Sequence, residues 1–182
     1  MGASHTPSRV LIIVAASSRH AAALDWAHER IGQQFGPLAL VSEAFDFTET
    51  AYYTATMGEG LKKQFITCER LVDPGELAHI KCATNAWEAE YAALGGHSEP
   101  RPLNLDPGYV TPAKLVLAST KDHAHRLYLG DGIYAEVTLA FRQRQWQPME
   151  WTYPDYRRPD YQAFFTTCRE YLLAHRGELD AT

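Results

Sequence analysis

Cysteine is scarce in this chain: Cys68, Cys82 and Cys168 are the only three in 182 residues. The number is odd and no Cys-x-x-Cys pair occurs, so neither a disulfide framework nor a cysteine zinc site is expected, and a reducing cytoplasmic location fits best. Long apolar runs are missing as well. The longest, Val10 to Ala16, falls far short of the roughly 18 residues that suggest a membrane span, and no apolar segment follows a basic start as in a secretory signal. No membrane association is therefore expected. Positive charge is also short: 17 Lys and Arg face 22 Asp and Glu, a net charge of -5. That argues against sequence-independent nucleic-acid binding through a basic face, and none is expected, but it leaves room for a local basic pocket. Signature motifs are absent too: there is no GxxxxGK(S/T), GxGxxG, HExxH or GxSxG. Ser17-Ser18-Arg19, at a strand-to-helix turn, lacks the glycines of a phosphate loop. Internal repeats, low-complexity tracts and linkers are likewise missing.

What remains is globular. With 46% hydrophobic and 21% charged residues, the chain can bury a real core, and one domain over residues 1–182 is expected. Arg9 to Ala16 reads as a strand buried on both faces. A helix follows from about His20 to Gln34, with Leu24, Ala27, His28 and Ile31 inward and Gly36-Pro37 at its end. Leu38 to Asp46 and Thr50 to Thr56 read as neighbouring strands. Phe65 to Val72 fits a strand or a short helix equally well. Asp73-Pro74-Gly75-Glu76 is a helix start, with Asp73 as cap and Pro74 at the first position, and this helix runs to about Leu94. A strand at Arg101 to Leu105 completes a ferredoxin-like βαββαβ half. Short antiparallel strands follow at Lys114 to Ser119, Arg126 to Leu129 and Ile133 to Phe141, with Gly130-Asp131-Gly132 as a hairpin turn. A last helix begins near Pro159, places Tyr161, Phe164, Phe165, Cys168 and Leu172 on one stripe, and ends at Gly177. The expected fold is α+β: a mixed, mainly antiparallel sheet, a ferredoxin-like first half, a β-hairpin second half and a C-terminal helix, with helices mainly on one face.

Chemistry concentrates between Arg101 and Arg158, where charged and hydroxyl side chains interrupt strand-like patterns. Carboxylates and ammoniums drawn into a sheet are costly unless paired. In Asn104-Leu105-Asp106-Pro107-Gly108-Tyr109, Asn104 and Asp106 share one strand face. Asp-Pro-Gly is also a good β-turn, so Asp106 either accepts a turn hydrogen bond or acts at a strand end as metal ligand or general base. Thr120 and Lys121 emerge where the next strand ends, and a hydroxyl beside an ammonium suits phosphate or carboxylate; a solvated turn is the alternative. His123 and His125 stand two apart, so a strand would point both to one face, and His125 can serve in acid/base chemistry or as an anion contact. Arg126 follows directly. Glu136 lies mid-strand between Tyr134 and Thr138, in a pattern that an exposed sheet face shares. Asp155, Arg157 and Arg158 form a loop able to clamp an anion before the last helix.

The segments NLDPGY, ASTKD, YAEVTL and TYPDYR, with FDFTETAYY and TMG before them, resemble in order and spacing the bacterial domain-of-unknown-function 4416 family. The resemblance covers nearly the whole chain and implies a single full-length domain without an established activity. Some members carry a GTP-binding label, which the missing phosphate loop does not support. The pattern implies an acidic residue before Met57-Gly58, where this chain has Thr56.

Three functions follow as expectations. In the first, a metal-dependent enzyme performs phosphoryl transfer or phosphoester hydrolysis on a phosphorylated or nucleotide-like substrate. Asp106, Glu136 and His125 are its catalytic candidates. Asn104, Tyr109, Thr120, Lys121, Arg126 and Arg157 bind substrate, and Asp106, Glu136 and Asp155 hold Mg²⁺ or Mn²⁺ through oxygen ligands. In the second, a non-catalytic module binds a nucleotide or small anion with the same basic residues. In the third, a protein–protein adaptor presents Tyr52, Tyr53, Tyr153 and Tyr156. The oligomeric state has no sequence signal.

Overall fold

The computed structural model describes residues 2–50 and 52–179, with side chains through His175. Among these residues nine strands form one sheet: β1 (Leu11–Ser18), β2 (Leu38–Val41), β3 (Phe45–Asp46), β4 (Lys62–Cys68), β5 (Asn104–Val110), β6 (Lys114–Ser119), β7 (Leu127–Gly130), β8 (Ile133–Arg142) and β9 (Gln145–Pro148). Helices α1 (Ala21–Phe35), α2 (Thr54–Met57), α3 (Leu77–Ala93) and α4 (Pro159–Leu179) complete the fold. The sheet order is β2-β4-β1-β5-β6-β8-β7, with β3 added along β4 and β9 along β8. Every named pairing is antiparallel.

The unbroken apolar run of β1 is explained by cover on both sides. All eight of its residues are buried. Val10, Ile12, Val14 and Ala16 pack with Leu24, Ala27 and Ile31 of α1 and Ile80, Trp87 and Tyr91 of α3. Leu11, Ile13 and Ala15 pack on the other face with Tyr161, Phe165, Cys168 and Leu172 of α4. Helices therefore cover both faces, two long ones on one side and α4 on the other. The order β2-β4-β1-β5, with α1 and α3 as crossovers, is the ferredoxin-like half. The remaining strands are a meander of hairpins. No helix among the described residues is long and apolar enough to cross a membrane.

Several local expectations are corrected. The strand expected at Thr50 to Thr56 is instead the short helix α2 around Thr54–Met57. The single strand expected over Leu38 to Asp46 breaks into β2 and β3 at Ser42. There the Ser42 hydroxyl accepts from Phe65 N (2.9 Å) and donates to Glu43 O (2.7 Å), so a side chain takes one of the two bonds to Phe65 while Ser42 N keeps the other, to Phe65 O (2.9 Å). The undecided segment contributes strand residues through Cys68. Helix α4 continues past Gly177 to Leu179. Strand β9 had no sequence signal. Its two-residue turn, Gln143-Arg144, adopts positive φ (52° and 64°) without the glycine or asparagine that marks such turns.

The largest correction concerns Asp106-Pro107-Gly108, which lies inside β5 and not in a turn. Gly108 is required by close approach. A Cβ there would meet Val116 O at 2.2 Å, so the neighbouring strand excludes any side chain.

Candidate functional site

Helix α4 covers only part of its sheet face, and the remainder is polar. Directly paired residues point the same way in an antiparallel sheet. Lys63 of β4 and Asn104 of β5 both pair with Ser17 of β1, and Asp106 pairs with Ala15. Farther along, Glu136 of β8 pairs with Leu117 of β6. These side chains floor a cavity of about 420 Å³, a size suited to a small molecule. Phe47, Glu49, Thr50, Tyr52 and Tyr53 and the turn Tyr153–Tyr156 wall it.

The sheet is locally open beneath this cavity. The β5–β6 ladder runs from Val110↔Leu115 to Gly108↔Leu117, while β5 continues back to Asn104. Across the gap, α3 supplies the missing partners. Glu88 Oε1 accepts from Leu105 N at 2.7 Å, and Lys81 Nζ donates to Leu105 O at 2.8 Å. Pro107 points its nitrogen to the same side as Leu105, since groups two apart in a strand share a side. Its missing N–H therefore costs no ladder bond.

Lys81, itself buried, also donates to Asp106 Oδ1 (3.1 Å), and Asn104 Nδ2 donates to Asp106 Oδ2 (2.7 Å). Arg101 donates to Asn104 Oδ1 and grips Glu88 Oε2 through Nε (3.1 Å) and Nη2 (2.7 Å). Burial works to raise the Asp106 pKa. The Lys81 and Lys63 ammoniums, with the Asn104 and Lys81 hydrogen bonds, outweigh it and hold the carboxyl below the usual range. For Glu88, burial prevails over Lys81 and Arg101 and the pKa is raised.

Two further ion pairs are buried. Lys63 Nζ meets Asp155 Oδ2 at 2.6 Å and lies 3.7 Å from the Phe47 ring centroid. Arg126 spends Nε on Glu136 Oε2 (2.8 Å), Nη1 on Ser119 Oγ (2.7 Å) and Lys121 O (2.9 Å), and Nη2 on the Tyr153 hydroxyl (3.0 Å). Glu136 also takes a hydrogen bond from His125 Nε2 (3.0 Å) and one from Thr138 Oγ1 (3.3 Å). At the mouth, Lys121 Nζ donates to the Tyr52 hydroxyl (3.1 Å) and stands 4.5 Å from its ring centroid.

Of the sequence-derived candidates, Asn104, Asp106, Thr120, Lys121, Arg126, Glu136 and Asp155 line this cavity. His125 does not. Residues 123–125 form a turn and not a strand, and the His125 ring stacks on His123 (5.8 Å) and Trp151 (5.0 Å), outside the cavity lining. Tyr109 is also outside: three positions from Asp106, it faces the α1 and α3 side and packs there. Arg157 is occupied as a loop clamp, donating to the carbonyls of Thr152, Met149 and Glu150. The tyrosines do not form one exposed surface, because Tyr156 is buried. Among the described residues no group of three or more His, Cys, Asp or Glu side chains is arranged to hold a metal ion.

Lys63, Lys81, Glu88 and Arg101 are the participants missed from sequence. The signal for two of them was available. Leu77, Lys81, Thr84 and Glu88 recur at helical spacing on one stripe of α3, and Lys81 and Thr84 are fully covered. A polar stripe on a covered helix face marks a site. Lys63 carried a weaker signal, alternating with Phe65 on one strand face.

A family model described as "Domain of unknown function (DUF4416)" matches residues 7–171. No curated protein and no solved structure matches significantly.

Proposed function

The chain belongs to the DUF4416 family, and we infer from its cavity that it is a binding protein for a small anionic molecule, phosphorylated or nucleotide-like. One observation carries this reading. Each cavity carboxylate is already paired with a cation: Asp106 with Lys81, Asp155 with Lys63, Glu136 with Arg126, and Glu49 with Arg158, which also holds Asp160. Lys121 has no carboxylate within ion-pair distance among the described residues. Only the Tyr52 hydroxyl engages its ammonium, which leaves two N–H donors at the cavity mouth. The aromatic walls supplied by Phe47, Tyr52, Tyr53 and Tyr153 suit a planar body behind the anion.

A metal-assisted phosphoryl-transfer enzyme is the second reading, and Asp106 favours it, since its side chain is a third exposed. The donor set as a whole does not fit Mg²⁺ or Mn²⁺. A shared ion would draw Glu136 and Asp155 away from Arg126 and Lys63, leaving two buried cations without partners.

Isothermal titration with inorganic phosphate and nucleoside monophosphates, with and without Mg²⁺, tests the two readings. Binding without metal that weakens about tenfold or more in Lys121→Met is the expected result. Unchanged affinity in that variant, or no binding of any phosphate probe, overturns the assignment. Binding that needs Mg²⁺ and disappears in Asp106→Asn replaces it with the enzyme.

A further inference from the structure

We propose that Asp106 selects the ligand of this cavity, accepting hydrogen bonds from neutral O–H or N–H groups on the part of the molecule opposite its anion. The inference rests on the anion-binding reading above and adds what the rest of the ligand must be. An anion-binding cavity with a carboxylate on its floor presents two demands that one charged group cannot meet. The mouth, where Lys121 and the two-thirds-exposed Tyr52 stand, attracts negative charge. The floor, where Asp106 is paired with Lys81 and Asp155 with Lys63, has no free cation among the described residues to take it. A single molecule satisfies both only if its anion stays at the rim and its body reaches inward.

Asp106 is the carboxylate built for this contact. Its side chain is 32% exposed, against 20% for Glu49, 6% for Asp155 and 2% for Glu136. A carboxylate offers about four acceptor sites, and two are spent here, one on Lys81 and one on Asn104. The orientation is fixed from behind: Arg101 holds Asn104, Glu88 holds Arg101, and Lys81 is anchored on Leu105 O. A carboxylate held on both oxygens presents its remaining lone pairs at set positions.

The neighbours also settle the charge of the group it takes. The Lys81 ammonium lies 3.1 Å from Asp106 and is nearly wholly buried, and Lys63 adds positive potential on the same floor. A ligand ammonium would meet these two cations at close range. A neutral hydroxyl, amide or ring N–H meets no such repulsion, and its hydrogen bond to an ionised acceptor is of the stronger kind. The chemical class is therefore a phosphate ester of a neutral, donor-bearing body. Sugar hydroxyls and the N–H groups of a nucleobase share that chemistry.

The test is a ligand series on the unaltered full chain, read by isothermal titration: methyl phosphate, ribose 5-phosphate and the purine nucleoside 5′-monophosphates. Methyl phosphate has the anion and no donors. The donor-bearing esters are expected to bind about tenfold to a hundredfold more tightly. A gain already complete with ribose 5-phosphate assigns the contact to sugar hydroxyls; a gain seen only with nucleotides assigns it to the base. In Asp106→Asn this advantage should shrink at least tenfold. That variant weakens the partner of a buried lysine, so its fold is checked by circular dichroism, and the ligand series on the parent chain stands without it. Equal affinity for methyl phosphate and for every donor-bearing ester overturns the role of Asp106 and leaves the Lys121 reading intact. No binding of any of them overturns both.

Discussion

The wall carrying Tyr153 to Tyr156 is fastened to the sheet by one buried ion pair, and removing half of it has a calculable cost. Lys63 and Asp155 are each 6% exposed and 2.6 Å apart. In Asp155→Ala the ammonium loses its hydrogen-bonded carboxylate and keeps the ring faces of Phe47, at 3.7 Å, and Tyr156, at 5.4 Å, with the Asp106 charge farther off. Breaking a buried pair from one side costs about 3–5 kcal/mol, because the surviving charge stays desolvated. For a chain of this size, 1 kcal/mol moves the melting temperature by roughly 2–4 °C, so a fall of about 6–20 °C is expected. The double variant Lys63→Met/Asp155→Leu removes both charges and should recover most of the loss, since an apolar replacement of similar volume is often neutral or stabilising. Urea denaturation of the parent, Lys63→Met, Asp155→Leu and the double variant gives the coupling energy directly. A single variant within about 1 kcal/mol of the parent, or a double variant no more stable than the singles, refutes the reasoning. The first outcome would mean that water reaches the pair, and the second that the packing around it cannot close over apolar groups.

Two other perturbations follow from single contacts. Gly108→Ala places a methyl group 2.2 Å from Val116 O, so the β5–β6 seam must part; a loss of about 1–3 kcal/mol in urea is expected, and an unchanged midpoint would show that the strands separate freely there. Glu99 accepts from His20 Nε2 (3.1 Å) and Arg19 Nη1 (2.7 Å). The His20 contact, joined by Arg19, draws its carboxyl down to about 2. Its folded value is depressed, so its contribution is complete above the ordinary Glu value of about 4.3 and is lost as pH falls through about 2. A carbon-detected NMR titration reading Glu99 above 4 would contradict this contact.

The ferredoxin-like half was legible because its signals are local and periodic. An unbroken apolar run announced β1, helical spacing announced α1 and α4, and Asp73-Pro74 announced the 3-10 turn Pro74–Glu76 that leads into α3, where Asp73 accepts from Gly75 N at 2.7 Å. The hairpin at Gly130-Asp131-Gly132 was equally plain, with positive φ at all three residues. Asp106-Pro107-Gly108 failed for a tertiary reason. The same three residues that favour a turn in isolation suit a strand whose neighbour crowds one residue and abandons another. On the site, alternation alone paired Asn104 with Asp106 and set Glu136 on its face. It could not foresee that Lys81 and Glu88, on a helix packed behind the sheet, would reach through to β5. Tyr109 was placed by its proximity in sequence to Asp106, and the strand's two-residue period sent it to the opposite side.

The sheet has a waist. Between its two halves the main-chain bonding narrows to Gly108–Val110 against Leu115–Leu117, and a lysine and a glutamate from one helix take up the β5 groups at Leu105 beyond that seam. A narrow seam concentrates in a few side chains what a full row of strand contacts would spread over many. Intolerance to substitution should therefore peak at Lys81, Glu88 and Gly108, ahead of many residues of the apolar interior, although none of the three has the residue type that usually signals a structural linchpin.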